Sequence, residues 1–170
     1  MISKKIEDAF NAQINAETYS AYLYWSMSAA LEGMNLPGFA SWMRIQTQEE
    51  MGHAVKIYEH IVERGGTVTL TAIEGPQTVW KDVKAVMEAT LAHEQKVTGL
   101  INDLMDLAIA EKDHAATMFL QWFVTEQVEE EATGMEILGK LEITGNSPGG
   151  LYMLDKEMAG RVFNPPTAAE

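Results

Sequence analysis

The sequence predicts an all-α fold: a four-helix bundle with one long crossover between helices two and three and a short C-terminal fifth helix. Glycine and proline interrupt the chain at few places, and apolar residues recur at alternating spacings of three and four. One connection is also much longer than the others. The 170 residues, 46% of them hydrophobic, suffice for one core. We therefore expect a single domain over residues 1–170, with the bundle at about 4–144.

Glycine, proline and short polar turns separate five helical runs. The runs cover about residues 4–34, 39–64, 80–109, 114–144 and 148–161. The first three breaks are Leu36-Pro37-Gly38, Gly65-Gly66 and the polar turn Glu111-Lys112-Asp113, and a Gly- and Pro-rich segment at 145–150 precedes the fifth run. The tail at 164–170 contains two prolines at its start and is expected to be loose.

The connection at 65–79 determines the predicted topology. It is rich in threonine and β-branched residues, which favours an extended chain. About 15 extended residues reach about 50 Å, whereas a helix of about 26 residues is about 39 Å long. The connection can therefore run the length of the bundle, so helices two and three should be parallel. The short turns should make the other consecutive pairs antiparallel hairpins.

Charge and composition limit the function classes. Lys and Arg number 12 and Asp and Glu 25, a net charge of −13 that argues against nucleic acid or a membrane surface as partner and fits a protein that attracts cations. No stretch approaches the roughly 18 apolar residues of a membrane helix, and the N-terminus has no apolar signal region, so we expect a cytoplasmic protein. The absence of cysteine excludes disulfides and thiolate metal sites.

A carboxylate lies on the apolar seam of each long helix, near its middle: Glu17, Glu50, Glu94 and Glu130. His53 follows Glu50 by three residues, on the same face. A buried carboxylate without a partner costs several kcal/mol, and no lysine or arginine lies on these seams at that depth. Four acids and one imidazole therefore predict roughly two cations, with iron or manganese favoured over zinc. The competing interpretations are hydrogen-bonded core residues or a shifted helix phase.

These positions lie in segments that resemble the ferritins. The segments are NAQINAETYSAYLYWSM, WMRIQTQEEMGHA, LAHEQ and FLQWFVTEQVEEEA. The resemblance spans nearly the whole chain and is closest to the non-haem ferritins of bacteria and archaea. It implies a hollow shell of 24 subunits that oxidises Fe(II) with O2 or H2O2 and stores the product as a ferric mineral.

The resemblance assigns the iron ligands residue by residue. Glu17, Glu50 and His53 match the ligands of a first iron, and Glu50 matches a carboxylate that bridges to a second. Glu94 and Glu130 match the remaining ligands of the second iron. We therefore expect a di-iron ferroxidase centre built from these five residues.

The resemblance also implies supporting residues and a third iron site. Gln127 matches a polar residue beside the second iron, and Tyr24 matches a tyrosine whose hydroxyl can bond the bridging carboxylate and supply an electron. Four acids match the third site: Glu49, Glu126, Glu129 and Glu130. The competing interpretation of the acids at 129–131 is a solvated charged surface.

Three alternatives to iron storage without haem remain. The first is haem-containing storage, which is not expected, because helix four has Gln127-x-x-Glu130 where bacterioferritins have a second Glu-x-x-His. Met51 nevertheless matches the haem-binding methionine of bacterioferritins, although an ordinary interface residue is the preferred interpretation. The second is a non-storage di-metal oxidase of small oligomeric state, and the third is a structural or cation-buffering assembly. A rubrerythrin-like module is excluded because it needs cysteine.

The other histidines give weaker signals. His60 is expected at the surface or at an interface, and His93 is expected to point off the seam of helix three. Asp113 and His114 match residues that line a three-fold ion channel in ferritins. A capping turn at the start of helix four would have the same sequence.

Overall fold

The computed structural model describes residues 1–163 and confirms the all-α class, with no strand in that range. The helices are α1 Lys4–Gly33, α2 Pro37–Glu63, α3 Val83–Ala110, α4 His114–Thr144 and α5 Pro148–Met158. Helix α5 ends three residues before the predicted end at 161. The predicted loose tail at 164–170 lies outside the described residues.

Side-chain caps determine where four of the helices start. Each capping side chain accepts a hydrogen bond from the backbone N–H three residues ahead. The caps are Ser3, Asp82, Asp113 and Ser147. The cap at Asp82 places the start of α3 at Val83, three residues later than the predicted start near Trp80. Helix α2 begins instead with Pro37, where the missing N–H has no helical partner to lose.

Two apolar clusters at opposite ends of the bundle establish the topology. One contains residues from the C-terminal parts of α1 and α4, the N-terminal parts of α2 and α3, and α5. The other contains residues from the N-terminal parts of α1 and α4 and the C-terminal parts of α2 and α3. Helices α2 and α3 are therefore parallel, and α1–α2 and α3–α4 are antiparallel hairpins, as the loop lengths predict.

The long connection between α2 and α3 lies along α1 and is held by side chains of that helix. Near its start, Asn11 Nδ2 donates to the carbonyl oxygen of Thr67 at 3.0 Å. Near its end, Ser26 Oγ donates to the carbonyl oxygen of Gln77 at 2.7 Å. The connection therefore follows α1 from its N-terminal part to its C-terminal part, which confirms the predicted crossover.

Helix α5 is anchored to the beginning of α2. The backbone N–H of Phe39 donates to Asp155 Oδ1 at 3.0 Å, and Asp155 is buried. Gly38 permits this contact, because a Cβ atom there would lie 1.7 Å from the carbonyl oxygen of Asp155. The chain that follows α5 therefore leaves from a fixed position beside α2.

A polar layer separates the two apolar clusters. The predicted seam residues of this layer are all buried: Glu17, Glu50, His53, Glu94 and Glu130. They come from all four long helices, so the predicted helix phase and depth are confirmed. The fold thus places four carboxylates and one imidazole at the centre of the bundle.

Candidate metal centre

Glu17, Glu50 and His53 form a buried group that could hold a metal ion. Each residue offers one ligand atom, and these atoms lie within 4.8 Å of one another. His53 Nδ1 is 3.6 Å from Glu50 Oε2 and 4.0 Å from Glu17 Oε2. The three residues are at most 3% exposed. Two carboxylates and a ring nitrogen at this spacing are a ligand set suited to a transition-metal ion.

Glu17 has one satisfied and one unsatisfied oxygen. Gln13 Nε2 donates to Oε1 at 2.9 Å, whereas Oε2 is buried and has no hydrogen-bond partner within residues 1–163. Burial, followed by the nearby charge of Glu50, raises the pKa of Glu17 to about 8. A buried carboxylate oxygen without a donor is costly, and a cation at the triad would compensate it.

Glu50 lies at the electrostatic centre of the layer. Its pKa is raised well above the usual range, first by burial and then by the charges of Glu94 and Glu130. Gln46 Nε2 donates to Glu50 Oε1 at 3.3 Å and to Glu130 Oε2 at 2.8 Å. Glu50 therefore interacts with both the α1 side and the α4 side of the layer, as a bridging ligand must.

Glu94 and Glu130 are oriented by neutral donors. The Tyr24 hydroxyl donates a short hydrogen bond to Glu94, and Gln127 Nε2 donates to Glu94 Oε2 at 3.3 Å. Burial raises the pKa of Glu94, and burial together with the charge of Glu94 raises the pKa of Glu130 to about 8. We call Glu17, Glu50, Glu94 and Glu130 the inner acids.

Tyr24 differs from its expected role. Its hydroxyl bonds Glu94 and not Glu50, the carboxylate expected to bridge. Tyr24 on α1 reaches Glu94 on α3, whereas Glu50 Oε1 accepts its hydrogen bond from Gln46 of its own helix. Burial, followed by the charge of Glu94, raises the pKa of Tyr24 well above its usual value. The phenol is thus a neutral donor that orients Glu94.

The predicted third site is less enclosed. We call Glu49, Glu126 and Glu129 the outer acids. Glu126 Oε1 is 4.0 Å from His53 Nε2, so the imidazole has inner acids near one nitrogen and an outer acid near the other. Glu129 is exposed, and Glu49 forms an ion pair with Arg161. The structure therefore brings Glu126 to the centre but leaves Glu129 in solvent and Glu49 with a protein cation.

Aromatic rings restrict the orientation of His53. Trp122 contacts its ring edge-on with the centroids 5.3 Å apart, and Phe123 contacts it similarly at 5.9 Å. Packing against two rings of α4 limits rotation of the imidazole. The two nitrogens therefore keep their directions toward Glu50 and Glu126.

Three residues that support the centre were not predicted from the sequence. Gln13 and Gln46 each lie four residues before the acid that they bond, a spacing that places them on the same helix face and could have identified them. Arg161 has no such signal, because it is 112 residues from its partner Glu49. The seams themselves carry no basic residue at this depth, as expected, but Arg161 supplies one from beyond α5.

The other histidines lie outside the centre. His60 was expected at the surface or at an interface, and within the single chain it is half-buried and stacks on Phe119 with the ring centroids 3.9 Å apart. Burial lowers its pKa to about 4. His93 points off the seam as expected, with Nε2 2.8 Å from Ser20 Oγ, and burial lowers its pKa to about 4.

Asp113 has a structural role that the capping interpretation predicts. It caps α4 through Ala116, and its two carboxylate oxygens each accept a hydrogen bond from Arg64 at 2.9 Å. His114, the first residue of α4, is exposed. Met51 is partly exposed in an apolar groove beside Tyr58.

Between residues 1 and 163, none of the helices combines the length and apolar character that a bilayer span requires.

Comparison with known proteins finds similarity over nearly the whole chain. The family model of the ferritin-like domain matches residues 7–144. A bacterial non-heme ferritin of Bacteroides fragilis is 43% identical over 161 residues, which cover 95% of this chain and 100% of that protein. A bacterial non-heme ferritin of Staphylococcus saprophyticus is 40% identical over 164 residues, covering 96% and 98%.

Solved structures show the same architecture. A structure of an open pore ferritin from the archaeon Archaeoglobus fulgidus superposes with a TM-score of 0.93 and 47% identity, covering 95% of this chain and 98% of that one. A closed form of the Archaeoglobus fulgidus ferritin, engineered by site-directed mutagenesis, gives a TM-score of 0.95 at 47% identity, covering 96% and 100%.

Proposed function

The chain belongs to the ferritin family, and on this premise we propose that it oxidises Fe(II) at its buried centre and stores the ferric product. One observation carries the proposal: Glu17, Glu50 and His53 meet in the core, and a buried oxygen of Glu17 lacks a donor. Such a group destabilises the iron-free fold. It is explained if the site exists to bind a cation.

We assign two irons to the inner acids and His53. Glu17 and His53 bind the first iron, Glu94 and Glu130 bind the second, and Glu50 bridges the two. The mutual effects of Glu50, Glu94 and Glu130 on their pKa values support this assignment, because they require the three acids to lie close together. Oxygen ligands with one imidazole are suited to both oxidation states of iron.

The proposed reaction couples two one-electron oxidations. Two Fe(II) ions give two electrons to one O2, which takes up two protons and becomes H2O2; alternatively, H2O2 accepts two electrons and two protons and becomes two water molecules. Glu17 and Glu130 have pKa values of about 8 in the iron-free protein, so they release their protons when iron binds, before the oxidant reacts. The ferric ions then leave for the mineral.

The third iron site is proposed at Glu49, Glu126, Glu129 and Glu130. Its support is the position of Glu126, 4.0 Å from the imidazole of His53. Glu130 would link this site to the second iron. An ion leaving the inner centre would meet the outer acids next.

We further propose a cytoplasmic shell of 24 subunits. Exposed apolar residues on α1 and α2 support assembly, since such surfaces in helical proteins are commonly covered by another subunit. They include Tyr22, Trp25, Val55, Tyr58 and Val62. Twenty-four chains of 18.8 kDa give a mass of about 450 kDa.

The function is tested by loading the protein with Fe(II) without oxygen and then following oxidation optically after oxygen is added. Wild type should oxidise two irons per subunit in a fast phase, and Glu50→Ala and His53→Ala should lack that phase. Glu88→Ala, which removes an exposed acid paired with Lys84, is the matched control. Equal rates in all four proteins would reject the assigned centre.

A bacterioferritin-like function depends on Met51, whose partial exposure in an apolar groove leaves it accessible to a ligand. Protein produced in cells supplied with a haem precursor would show a strong haem absorption band if haem binds there. Size-exclusion chromatography tests for a di-metal oxidase of small oligomeric state, because such a protein would elute far below about 450 kDa.

A further inference from the structure

Arg161 is the residue through which α5 reaches the metal centre. It lies three residues beyond the end of α5 at Met158, and α5 is anchored by Asp155 to the start of α2. Its side chain is about three-quarters buried, and its guanidinium group stacks over Trp42 with Cζ 4.3 Å from the ring centroid. The anchored helix and the stacking hold the guanidinium in one place.

Two hydrogen bonds connect this guanidinium to the centre. Nη2 donates to Glu49 Oε2 in a short ion pair, and Nη1 donates to Gln46 Oε1 at 2.6 Å. Glu49 belongs to the outer acids. Gln46 in turn donates to Glu50 and Glu130 of the inner acids. Arg161 therefore contacts the outer acids directly and the inner acids through the amide of Gln46.

The contact with Gln46 fixes the direction of its amide. A guanidinium can only donate hydrogen bonds, so the atom of the Gln46 amide that it bonds must be the oxygen. The nitrogen must then face the opposite way, toward the carboxylates of Glu50 and Glu130. Arg161 is thus a positioning residue that acts on the inner acids through Gln46.

The contact with Glu49 pairs an expected iron ligand with a cation of the protein itself. A carboxylate oxygen that accepts a charge-assisted hydrogen bond is less available to a metal ion. Burial raises the pKa of Glu126 and Glu130, and the charge of Arg161 offsets part of that rise, so this guanidinium acts on three of the four acids of the proposed third site.

We propose that Arg161 is a displaceable counter-cation: it holds Glu49 in the iron-free protein, competes with a cation for the outer acids, and fixes Gln46 for the inner acids. This inference rests on the proposed iron chemistry. A cation that binds the outer acids must break the Arg161–Glu49 pair. The inner centre therefore fills first, and occupation of the outer site frees Gln46 and loosens the inner ligands.

The test is calorimetric titration of iron-free assembled protein with Fe(II) in the absence of oxygen. Wild type should bind two irons per subunit tightly and a third weakly. In Arg161→Gln the third affinity should rise on the order of tenfold, a usual size for coupling between sites, while the affinity for the first two falls. A general loosening of the fold would weaken all three steps, and that result would overturn the proposal.

Two further variants separate charge from geometry. Arg161→Lys keeps the cation but cannot hold both partners in the same way, so its third affinity should stay near that of wild type while the first two steps weaken. Arg44→Gln removes an arginine paired with Glu32 at 2.8 Å on the surface, and should change none of the three steps.

The remaining outcomes of the titration also discriminate. If the affinity for the third iron is unchanged in Arg161→Gln, or if neither protein binds a third iron, Arg161 is not a displaceable counter-cation. The proposed function still stands in both cases, provided that wild type binds two irons tightly. Unchanged inner affinities would remove the role assigned through Gln46. Absence of any tight iron in wild type would reject the proposed function itself.

Discussion

The inner and outer acids of the metal layer balance their charge in different ways. The inner acids are buried and are oriented by neutral donors, such as Gln46 and the hydroxyl of Tyr24. The outer acids are partly or fully exposed, and Glu49 is paired with Arg161. The outer acids are therefore stable without metal, whereas the inner acids are stable only when protonated or when bound to a cation.

This difference indicates where the fold gives up stability for function. Neutral donors orient a carboxylate without neutralising it, so they preserve its attraction for a cation. An arginine orients a carboxylate and also neutralises it, which lowers that attraction. The donors that surround the inner acids are thus the type expected around a site that must bind metal tightly.

The largest expected effect is on oxidation rate. Glu50→Ala removes the proposed bridging ligand and should slow the fast phase by more than about 100-fold, since losing a residue that merely supports a ligand already costs 10- to 100-fold. Glu49→Ala removes the neighbouring outer acid and should change that phase by less than about threefold. Stopped-flow oxidation of Fe(II) measures both. Comparable losses in the two variants would break the distinction between inner and outer acids.

The next effect is on stability. Ligand at 100 times its Kd stabilises a folded protein by about 2.7 kcal/mol, so Fe(II) added without oxygen should raise the unfolding temperature of wild type and of Glu49→Ala alike. Glu50→Ala should gain much less, and without metal it should be at least as stable as wild type because the cost of burying the polar carboxyl group of Glu50 is gone. Thermal unfolding with and without Fe(II) measures this. A metal-free Glu50→Ala less stable than wild type would contradict it.

The sequence predicted the inner acids well and the outer contacts poorly, for a physical reason. The periodicity of each helix determines which residues face the core, so helix spacing alone suffices to place Glu17, Glu94 and Glu130 in one layer. Contacts between different elements depend on rotamers and on how helices pack. The pairing of Arg161 with Glu49 is of this kind.

The other differences have related causes. The hydroxyl of Tyr24 bonds Glu94 and not Glu50 because competing donors decide such bonds, and helix periodicity does not describe them. His60 lies at the border of the buried face, where a small rotation of the helix separates surface from core, and the stacking with Phe119 covers it. Element ends shifted by a few residues where a cap such as Asp82 determined the start.

A further effect concerns pH and the iron-free protein. Burial raises the pKa of Glu17 and Glu130 from 4.5 to about 8, so the folded chain binds more protons than the unfolded chain between these values. The free energy of unfolding should therefore fall as pH rises through that window, by at most about 1.4 kcal/mol per pH unit for each group. Denaturant unfolding of wild type and Glu17→Gln at about pH 5 and about pH 8 measures it.

Glu17→Gln should flatten this dependence and Glu88→Gln should not, because Glu88 is exposed and paired with Lys84. A dependence of equal slope in wild type and Glu17→Gln would show that Glu17 is not protonated in the iron-free protein. That result would contradict the distinction between inner acids that are neutralised by protons and an outer acid that is neutralised by Arg161.

The smallest expected effect comes from removing a single hydrogen bond, the one between Tyr24 and Glu94. Tyr24→Phe removes the hydroxyl that orients Glu94, and we expect the affinity for the second iron to fall about tenfold, at the lower end of the range for residues that orient a metal ligand. Anaerobic Fe(II) titration measures the affinity, and single-turnover oxidation at saturating iron measures the rate separately. Tyr22→Phe, on an exposed part of α1, is the control. Since the bonded partner is Glu94 and not the bridging Glu50, the first iron should keep its affinity, and equal weakening of both irons would contradict that assignment.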